Sequence, residues 1–168
     1  TINGAGGISI NKIGTGTLTL SGNFNGSGAL TNQIAARQGG VVRVTAGTLA
    51  ITGASFIPGG SGTTLTTIDV LSGATFDVSG APSTFSTSNL QKIQGSGTIV
   101  GPYNHDEGFI RPGDVASATA ANEGNLSSGV VPTAGTINFS GPLSFNGGTI
   151  IYDMSTNPAA GNDLIQVT

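Results

Sequence analysis

The chain's single histidine lies in its densest cluster of polar and charged side chains. Tyr103 and Asn104 precede His105, and two acidic residues, Asp106 and Glu107, follow it. An imidazole beside carboxylates could bind a metal ion or transfer protons. Adjacent residues of an extended chain point to opposite sides, however, and no second histidine completes a zinc site. We therefore predict a solvated loop here, with Tyr103, His105 and Asp106 as candidates for binding a glycan or a receptor.

The acidic residues could also serve an enzyme that degrades polysaccharides. Such an enzyme needs carboxylates gathered on one face, with a lysine or arginine nearby. The eight acidic residues are spread along the chain, although Asp69 and Asp77 both lie in strand-like runs and could line one face. We expect them mainly to keep the outer surface soluble. No Gly-x-Ser-x-Gly motif marks a nucleophile either, so we predict no catalytic residues and keep an enzyme as the least favoured alternative.

Oxygen-bearing side chains in the last part of the sequence could bind calcium. Asp153, Asn162 and Asp163 lie on both sides of a turn at 157–161, and calcium prefers oxygen ligands. The tandem Gly-Gly-x-Gly-x-Asp repeat of calcium-binding β-rolls is missing. An ordinary turn is favoured, and these three residues stay weak calcium candidates. We predict no bound metal and no cofactor.

The composition restricts the class of protein. Glycine accounts for 29 of 168 residues, charged residues for 8% and hydrophobic residues for 36%, and cysteine is absent. Helix is disfavoured because Gly, Thr, Ser, Asn and Val are poor helix formers. The five Lys and Arg residues are scattered singly, whereas a nucleic-acid surface needs clustered cations. No apolar run approaches the ~20 residues of a membrane span. We therefore expect neither a nucleic-acid partner nor a membrane span in this segment.

One motif recurs along the chain: glycine, a small residue, an apolar-polar-apolar triplet, a polar residue and glycine. Full or close copies occupy 16–22, 47–53, 73–80 and 135–141, and shortened ones 97–101 and 148–153. Most copies are separated by about the ~20–30 residues of one solenoid coil. Further strand-like runs lie between them, at 41–44, 65–70 and 90–93.

This repetition predicts an all-β fold, a right-handed parallel β-helix (β-solenoid) of about six or seven coils. A short strand with one apolar face cannot bury that face alone. When the chain coils, the apolar face turns inward, and each strand pairs with the strand of the next coil at a spacing of ~4.8 Å. We expect one solenoid segment over 1–168. It consists of regular coils at 1–100, a loop-rich insertion at 101–134 and C-terminal coils at 135–168. The alternative is a β-sandwich, which the hairpin dipeptides Asn25-Gly26 and Asn146-Gly147 would suit.

The stretch Ile13–Gly22 resembles the autotransporter-associated β-strand repeat of bacterial autotransporter passenger domains and related giant surface proteins. That repeat has the form Lys-x-Gly-x-Gly-Thr-Leu-x-Leu-x-Gly, and Lys12 occupies the lysine position. Val44–Leu49 resembles the motif that ends the repeat, Val-x-x-Gly-Thr-Leu. Residues 95–101 and 108–114 resemble a later coil ending in a Pro-Gly-Asp turn, and 161–168 resembles a Tyr-Asp-x-Leu-x-Val-x-Gly coil. The family continues from that turn directly into a strand. Here 115–134 intervene, which indicates a projecting loop.

The resemblance implies an extracellular scaffold, secreted or on a bacterial cell surface, without catalytic residues. Our leading hypothesis is a structural or adhesive rod, cut from a longer chain, that continues covalently or associates with copies of itself. The expected self-association edges are Ile8 and Ile10 at one end and Leu164, Ile165 and Val167 at the other. The alternative is an adhesin module that binds a glycan or a host receptor through the loops 23–38, 101–110 and 115–133.

Overall fold

Parallel β-strands make up nearly all of the regular structure. The computed structural model describes residues 10–22, 40–53, 57, 65–113, 134–156 and 161–168. Sheet 1 consists of β1 (Ile10–Lys12), β3 (Val41–Val44), β5 (Thr66–Val70), β8 (Gln91–Gly95), β11 (Phe109–Pro112) and β14 (Thr149–Ile150). Sheet 2 consists of β2 (Thr17–Gly22), β4 (Thr48–Gly53), β6 (Thr75–Gly80), β9 (Thr98–Val100), β12 (Thr136–Ser140) and β15 (Leu164–Val167). Sheet 3 consists of β7 (Phe85–Thr87), β10 (Tyr103–His105) and β13 (Leu143–Phe145).

The strand order along the chain defines six coils within these ranges. Each coil has a strand in sheet 1 followed by one in sheet 2, and coils 3, 4 and 5 add a strand in sheet 3. Each strand pairs in parallel with the equivalent strand of the next coil, as β5 does with β8 and β6 with β9. The predicted parallel β-solenoid and its number of coils are confirmed. At a strand spacing of ~4.8 Å the stack is about 29 Å long.

The antiparallel sandwich is excluded for the described strands, because every strand-to-strand ladder is parallel. Asn146 and Gly147 join β13 to β14, which belong to different sheets, so this dipeptide forms a corner of the coil and not a hairpin. Asn25 and Gly26 lie outside the described residues. None of the residues that the structure describes forms a helix long and apolar enough to cross a membrane.

The core is built from rows of apolar side chains that repeat at the same position in each coil. One row runs through sheet 1: Ile10, Val42, Ile68, Ile93, Ile110 and Ile150. A second runs through sheet 2: Leu18, Leu49, Phe76, Ile99, Phe139 and Val167. Both rows are fully buried or nearly so in the middle coils. The apolar positions of the repeated motif therefore face inward, as the alternation of side chains along a strand requires.

Short corners make one coil smaller than the repeat length predicts. Ile93 and Ile110 pair across neighbouring coils although only 17 residues separate them along the chain. Two residues suffice to connect β8 to β9, and Gly101-Pro102 connects β9 to β10. The predicted loop-rich insertion at 101–134 is consequently wrong in its first part, because residues 103–105 and 109–112 are strands of coils 4 and 5. Residues 114–133 lie outside the described ranges.

The corner of the first coil gives a physical role to the motif that begins at Lys12. The Lys12 Nζ donates hydrogen bonds to the carbonyl oxygens of Ile13, Gly14 and Ala46, at 3.0, 2.7 and 3.0 Å. Gly47 has a positive φ of 67°, and a Cβ there would collide with the backbone of Gly14 and Gly16. One lysine and one glycine thus let the corners of coils 1 and 2 stack in contact.

The outer face of sheet 1 is covered in coils 3 and 4. Every residue of β5 and β8 is buried, including the outward-facing Thr67, Asp69 and Lys92. On the inward side of β8, which Gln91 shares with Ile93, the Gln91 amide Nε2 donates to the carbonyl oxygen of the core residue Ile57 at 2.9 Å. We expected polar side chains here to face water, so this part of the surface prediction is wrong.

Candidate functional site

Tyr103 is a core residue and not an exposed residue of a binding loop. It lies in β10 with no exposed surface, between Phe85 and Leu143 of the neighbouring strands. Its ring packs against those of Phe85 and Phe139, with centroid distances of 6.1 and 5.1 Å. Burial raises the pKa of its hydroxyl. The prediction that Tyr103 contacts a ligand is wrong, because alternation along β10 turns this side chain inward.

His105 is buried as well, two residues along the same strand. Its exposed fraction is 0%, its Nδ1 lies 3.0 Å from Thr87 Oγ1, and its ring meets the edge of the Phe145 ring at a centroid distance of 6.1 Å. Burial lowers its pKa, against smaller opposing effects of the Thr149 backbone and the Asp106 carboxylate. The predicted solvated histidine is therefore wrong. A buried neutral imidazole with no second metal ligand beside it fits neither a metal site nor an exposed binding loop.

The two acidic residues after His105 lie at the surface, where they bind neighbouring turns. Asp106 Oδ1 accepts a hydrogen bond from Asn146 Nδ2 at 2.7 Å, and Glu107 Oε2 accepts one from the Asn89 amide at 2.7 Å. The hydrogen bond from Asn146, followed by one from Ser86, lowers the pKa of Asp106. Of the three predicted loop residues, only Asp106 is accessible, and it links coils 4 and 5.

The three calcium candidates use their oxygens to hold the backbone of the last coils. Asp163 accepts hydrogen bonds from the amides of Gly135 and Asp153, at 2.9 and 2.7 Å. Asn162 Oδ1 accepts one from the Ser155 amide at 2.8 Å, and Asp153 Oδ2 lies 3.5 Å from an Nη of Arg111. This geometry supports the turn interpretation. In the described part of the chain, no three His, Cys, Asp or Glu side chains gather as metal ligands would.

The carboxylates considered for an enzyme do not share a face. Asp69 lies in sheet 1 and Asp77 in sheet 2. Asp69 has an exposed fraction of 0% and pairs with the Nε of Arg43 at 2.7 Å. Asp77 instead accepts hydrogen bonds from the amide and hydroxyl of Ser79. The expectation that Asp69 keeps the surface soluble is wrong, because its side chain is buried. Arg43 provides the partner that a buried carboxylate requires. A shallow cavity of about 240 Å³ opens beside Arg43.

In the described part of the chain, the exposed large apolar side chains lie at the two ends of the stack. Seven large hydrophobic side chains are exposed among the described residues: Ile13, Leu18, Phe145, Tyr152, Met154, Leu164 and Val167. Ile13 and Leu18 belong to coil 1, and we name them the N-terminal end surface. The other five belong to the last strand of a sheet or to the turn after β14, and we name them the C-terminal end surface.

The residues predicted as self-association edges lie at these same ends. Val167 occupies the inward row of Phe139 and is 55% exposed, because no further strand covers it in the described structure. Leu164 is 52% exposed and pairs with the outward-facing position of Thr136. Ile10 and Ile165 are partly buried against the core. Ile8 lies outside the described residues.

Sequence reasoning missed two features of the structure, one in the end coils and one in coils 3 and 4. Phe145 and Met154 lie outside the copies of the repeated motif, and the shortened copy 148–153 does not indicate that the Tyr152 side chain is exposed. The contact between His105 and Thr87 was also missed. It depends on the register of β7 with β10, which places the two side chains opposite each other.

Comparisons with family models, with curated proteins and with solved structures yield no match for this chain.

Proposed function

We propose that this chain is a non-catalytic extracellular scaffold, a structural or adhesive rod of stacked coils that lengthens by strand addition at its ends. The observation that carries this proposal is the distribution of exposed apolar side chains. They occupy coil 1 and the C-terminal end surface, while the large apolar side chains described in between are at least half-buried. Contiguous exposed apolar surface is typical of interaction sites.

The ends also carry strand edges that match one another. β14 and β15 are the last strands of sheets 1 and 2, and β1 and β2 are the first. The inward rows that end at Ile150 and Val167 are the rows that begin at Ile10 and Leu18. A second copy stacked head to tail, or further coils of a longer chain, would therefore continue both rows by strand addition.

The alternative of a glycan- or receptor-binding adhesin has less support. Two of its three named residues, Tyr103 and His105, are buried, and the other binding loops, 23–38 and 115–133, lie outside the described residues. The resemblance to autotransporter-associated repeats supports placement at a bacterial surface, with the chain's own copies or continuation as its main partner.

Negative-stain electron microscopy over a range of concentrations tests the proposal. We expect filaments with a subunit repeat of about 29 Å, six strand spacings. Val167→Asp places a charge on the C-terminal end surface and should leave short single particles. Val100→Asp is the matched control, because Val100 lies on the outer face of sheet 2 in coil 4. Single particles of the parent at every concentration, or filaments of Val167→Asp equal to the parent's, would contradict self-association.

A further inference from the structure

His105 lies directly beneath the surface where we place association. It belongs to coil 4, and two parts of the chain cover it from coil 5 onward: the Phe145 side chain of β13 and the turn 147–149 that leads into β14. Phe145 is 50% exposed and forms part of the C-terminal end surface. The imidazole is therefore separated from the solvent by one layer of chain.

The imidazole is tightly enclosed. A Cβ added at Gly148 would collide with Nε2 and would lie 2.8 Å from Cε1 of His105. Nε2 is buried and has no hydrogen-bond partner of good geometry among the described residues. On the opposite side, Thr87 is itself buried. On the side of the turn, Gly148 approaches the imidazole too closely for a water molecule to lie between them. The Thr149 backbone favours the charged form less than burial disfavours it, and a buried charge without full solvation is destabilising.

We infer that His105 is a proton-operated latch: protonation of its imidazole displaces residues 143–150 and takes Phe145 out of the C-terminal end surface. This inference deepens the proposed function and rests on it for the biological consequence. The displacement itself is a property of the single chain. It exposes the imidazole to water, takes Phe145 away from the end and leaves β13 and β14 unpaired.

The charged groups around His105 offset only part of the cost of its protonation, through the Asp106 carboxylate. Asp106 and Glu107 follow it in the chain but are engaged at the surface with Asn146 and Asn89. In β10, Tyr103 stays neutral because burial raises its pKa. Strands β7 and β13 and the turn 147–149 contribute no charged side chain. Burial consequently dominates, and it lowers the pKa of His105.

The sign of the pH dependence follows from this direction. The displaced state has the ordinary histidine pKa of ~6.5 and binds the proton more tightly than the closed state. The closing equilibrium is therefore independent of this histidine above about pH 6.5, and closure becomes up to tenfold less favourable for each pH unit below it. Asp106 stays ionised in this range, since its pKa is lowered. Burial raises the pKa of Asp163, so its protonation favours the folded state as pH falls and cannot imitate the effect.

Hydrogen exchange followed by mass spectrometry, from pH 7.5 to pH 5.0, tests the latch in the full untagged chain. After correction for intrinsic rates, exchange of residues 143–150 should accelerate as pH falls, while residues 91–95 of β8 provide an internal reference that stays constant. The amide of the His105→Gln variant does not titrate in this range, so this substitution should abolish the acceleration of exchange at low pH. Equal pH dependence in parent and variant would overturn the inference.

A second measurement keeps the inference testable if His105→Gln does not fold. The chain contains one histidine, so its ring proton resonances are unambiguous in a one-dimensional NMR titration of the parent. We expect a midpoint below pH 6.5 that coincides with the change in exchange. A midpoint of ~6.5 without change in the exchange of 143–150 would rule the latch out. Hydrogen exchange and the NMR titration both report on the single chain and do not need association. Single rods at every pH in electron micrographs would therefore contradict the proposed function, while these two measurements would still decide the inference about His105.

Discussion

The ammonium group of Lys12 donates a hydrogen bond to the carbonyl oxygen of Ala46, 34 residues further along the chain, at 3.0 Å. The same group also bonds the carbonyls of Ile13 and Gly14. One side chain thus joins the corner of coil 1 to that of coil 2. Lys12 is therefore a structural residue that satisfies three backbone acceptors.

Replacing Lys12 with Met should destabilise the first two coils. The substitution keeps the aliphatic stem but leaves three carbonyl groups without their charged donor, and we expect a loss of about 1.5–3 kcal/mol in the free energy of unfolding. Urea denaturation followed by circular dichroism measures it. Thr17→Ala, at an exposed position of the same coil, should change stability by less than about 0.5 kcal/mol. An unchanged midpoint for Lys12→Met would refute this role.

Replacing Asp69 with Asn should cost about 1–2 kcal/mol. Asp69 is fully buried, while its partner Arg43 keeps 38% of its side chain exposed. Water therefore screens part of the pair, and the loss should fall below the ~3–5 kcal/mol of a fully buried one. Asp77→Asn is the control, since Asp77 only bonds Ser79 nearby. Equal thermal unfolding midpoints of the two variants would contradict the assignment.

Replacing Gly148 with Ala should destabilise the protein more than the same change at Gly73. Both glycines have a positive φ, 78° and 76°, so the backbone strain is shared. Only Gly148 would bring its new methyl group against His105, whereas nothing lies within 4 Å at Gly73. We expect an extra loss of at least ~1 kcal/mol by thermal denaturation. His105→Ala should remove most of that difference and leave the part due to the Glu107 backbone, whose carbonyl carbon lies 3.1 Å from the added Cβ. An undiminished gap in the double variant would show that contact with His105 is not the cause.

Replacing Tyr103 with Phe should leave stability unchanged or raise it by up to about 1 kcal/mol. The hydroxyl is buried and finds no hydrogen-bond partner of good geometry in the described structure, so its removal ends a desolvation cost. Tyr103→Ala, in contrast, should cost about 3–5 kcal/mol because it leaves a cavity between the rings of Phe85 and Phe139. Calorimetry of the two variants distinguishes this core role from that of a ligand contact, for which Tyr103→Ala would leave the unfolding temperature unchanged.

The fold could be predicted because its signal is local and repeated. The alternating triplets around Leu18, Leu49 and Ile137 each indicate a strand with one buried face, and their recurrence indicates stacking. The orientation of Tyr103 and His105 could not be predicted in this way. Strand β10 has three residues, too few for a periodic pattern, and its charged neighbours Asp106 and Glu107 resemble a loop.

Burial on the outer side of sheet 1 was equally inaccessible from sequence. The alternation of Ile68, Asp69 and Val70 predicts an inward and an outward face correctly, but not whether chain or water covers the outward one. The exposed ends could be predicted in part. The sequence indicates Leu164, Ile165 and Val167 as edges, but their exposure depends on the register. Val167 continues the inward row of Phe139 and is exposed because no described strand covers it.

Gly113 and Gly135 lie in backbone contact, so close that a Cβ on Gly135 would be 2.6 Å from the Gly113 Cα. The chain leaves coil 5 at the first glycine and re-enters it at the second, with 21 residues in between. Since the departure and return points coincide, the contour length of the intervening segment does not affect the register of β11 or β12. We therefore expect that the segment between these glycines can be exchanged, shortened or extended by design while the stack stays in alignment.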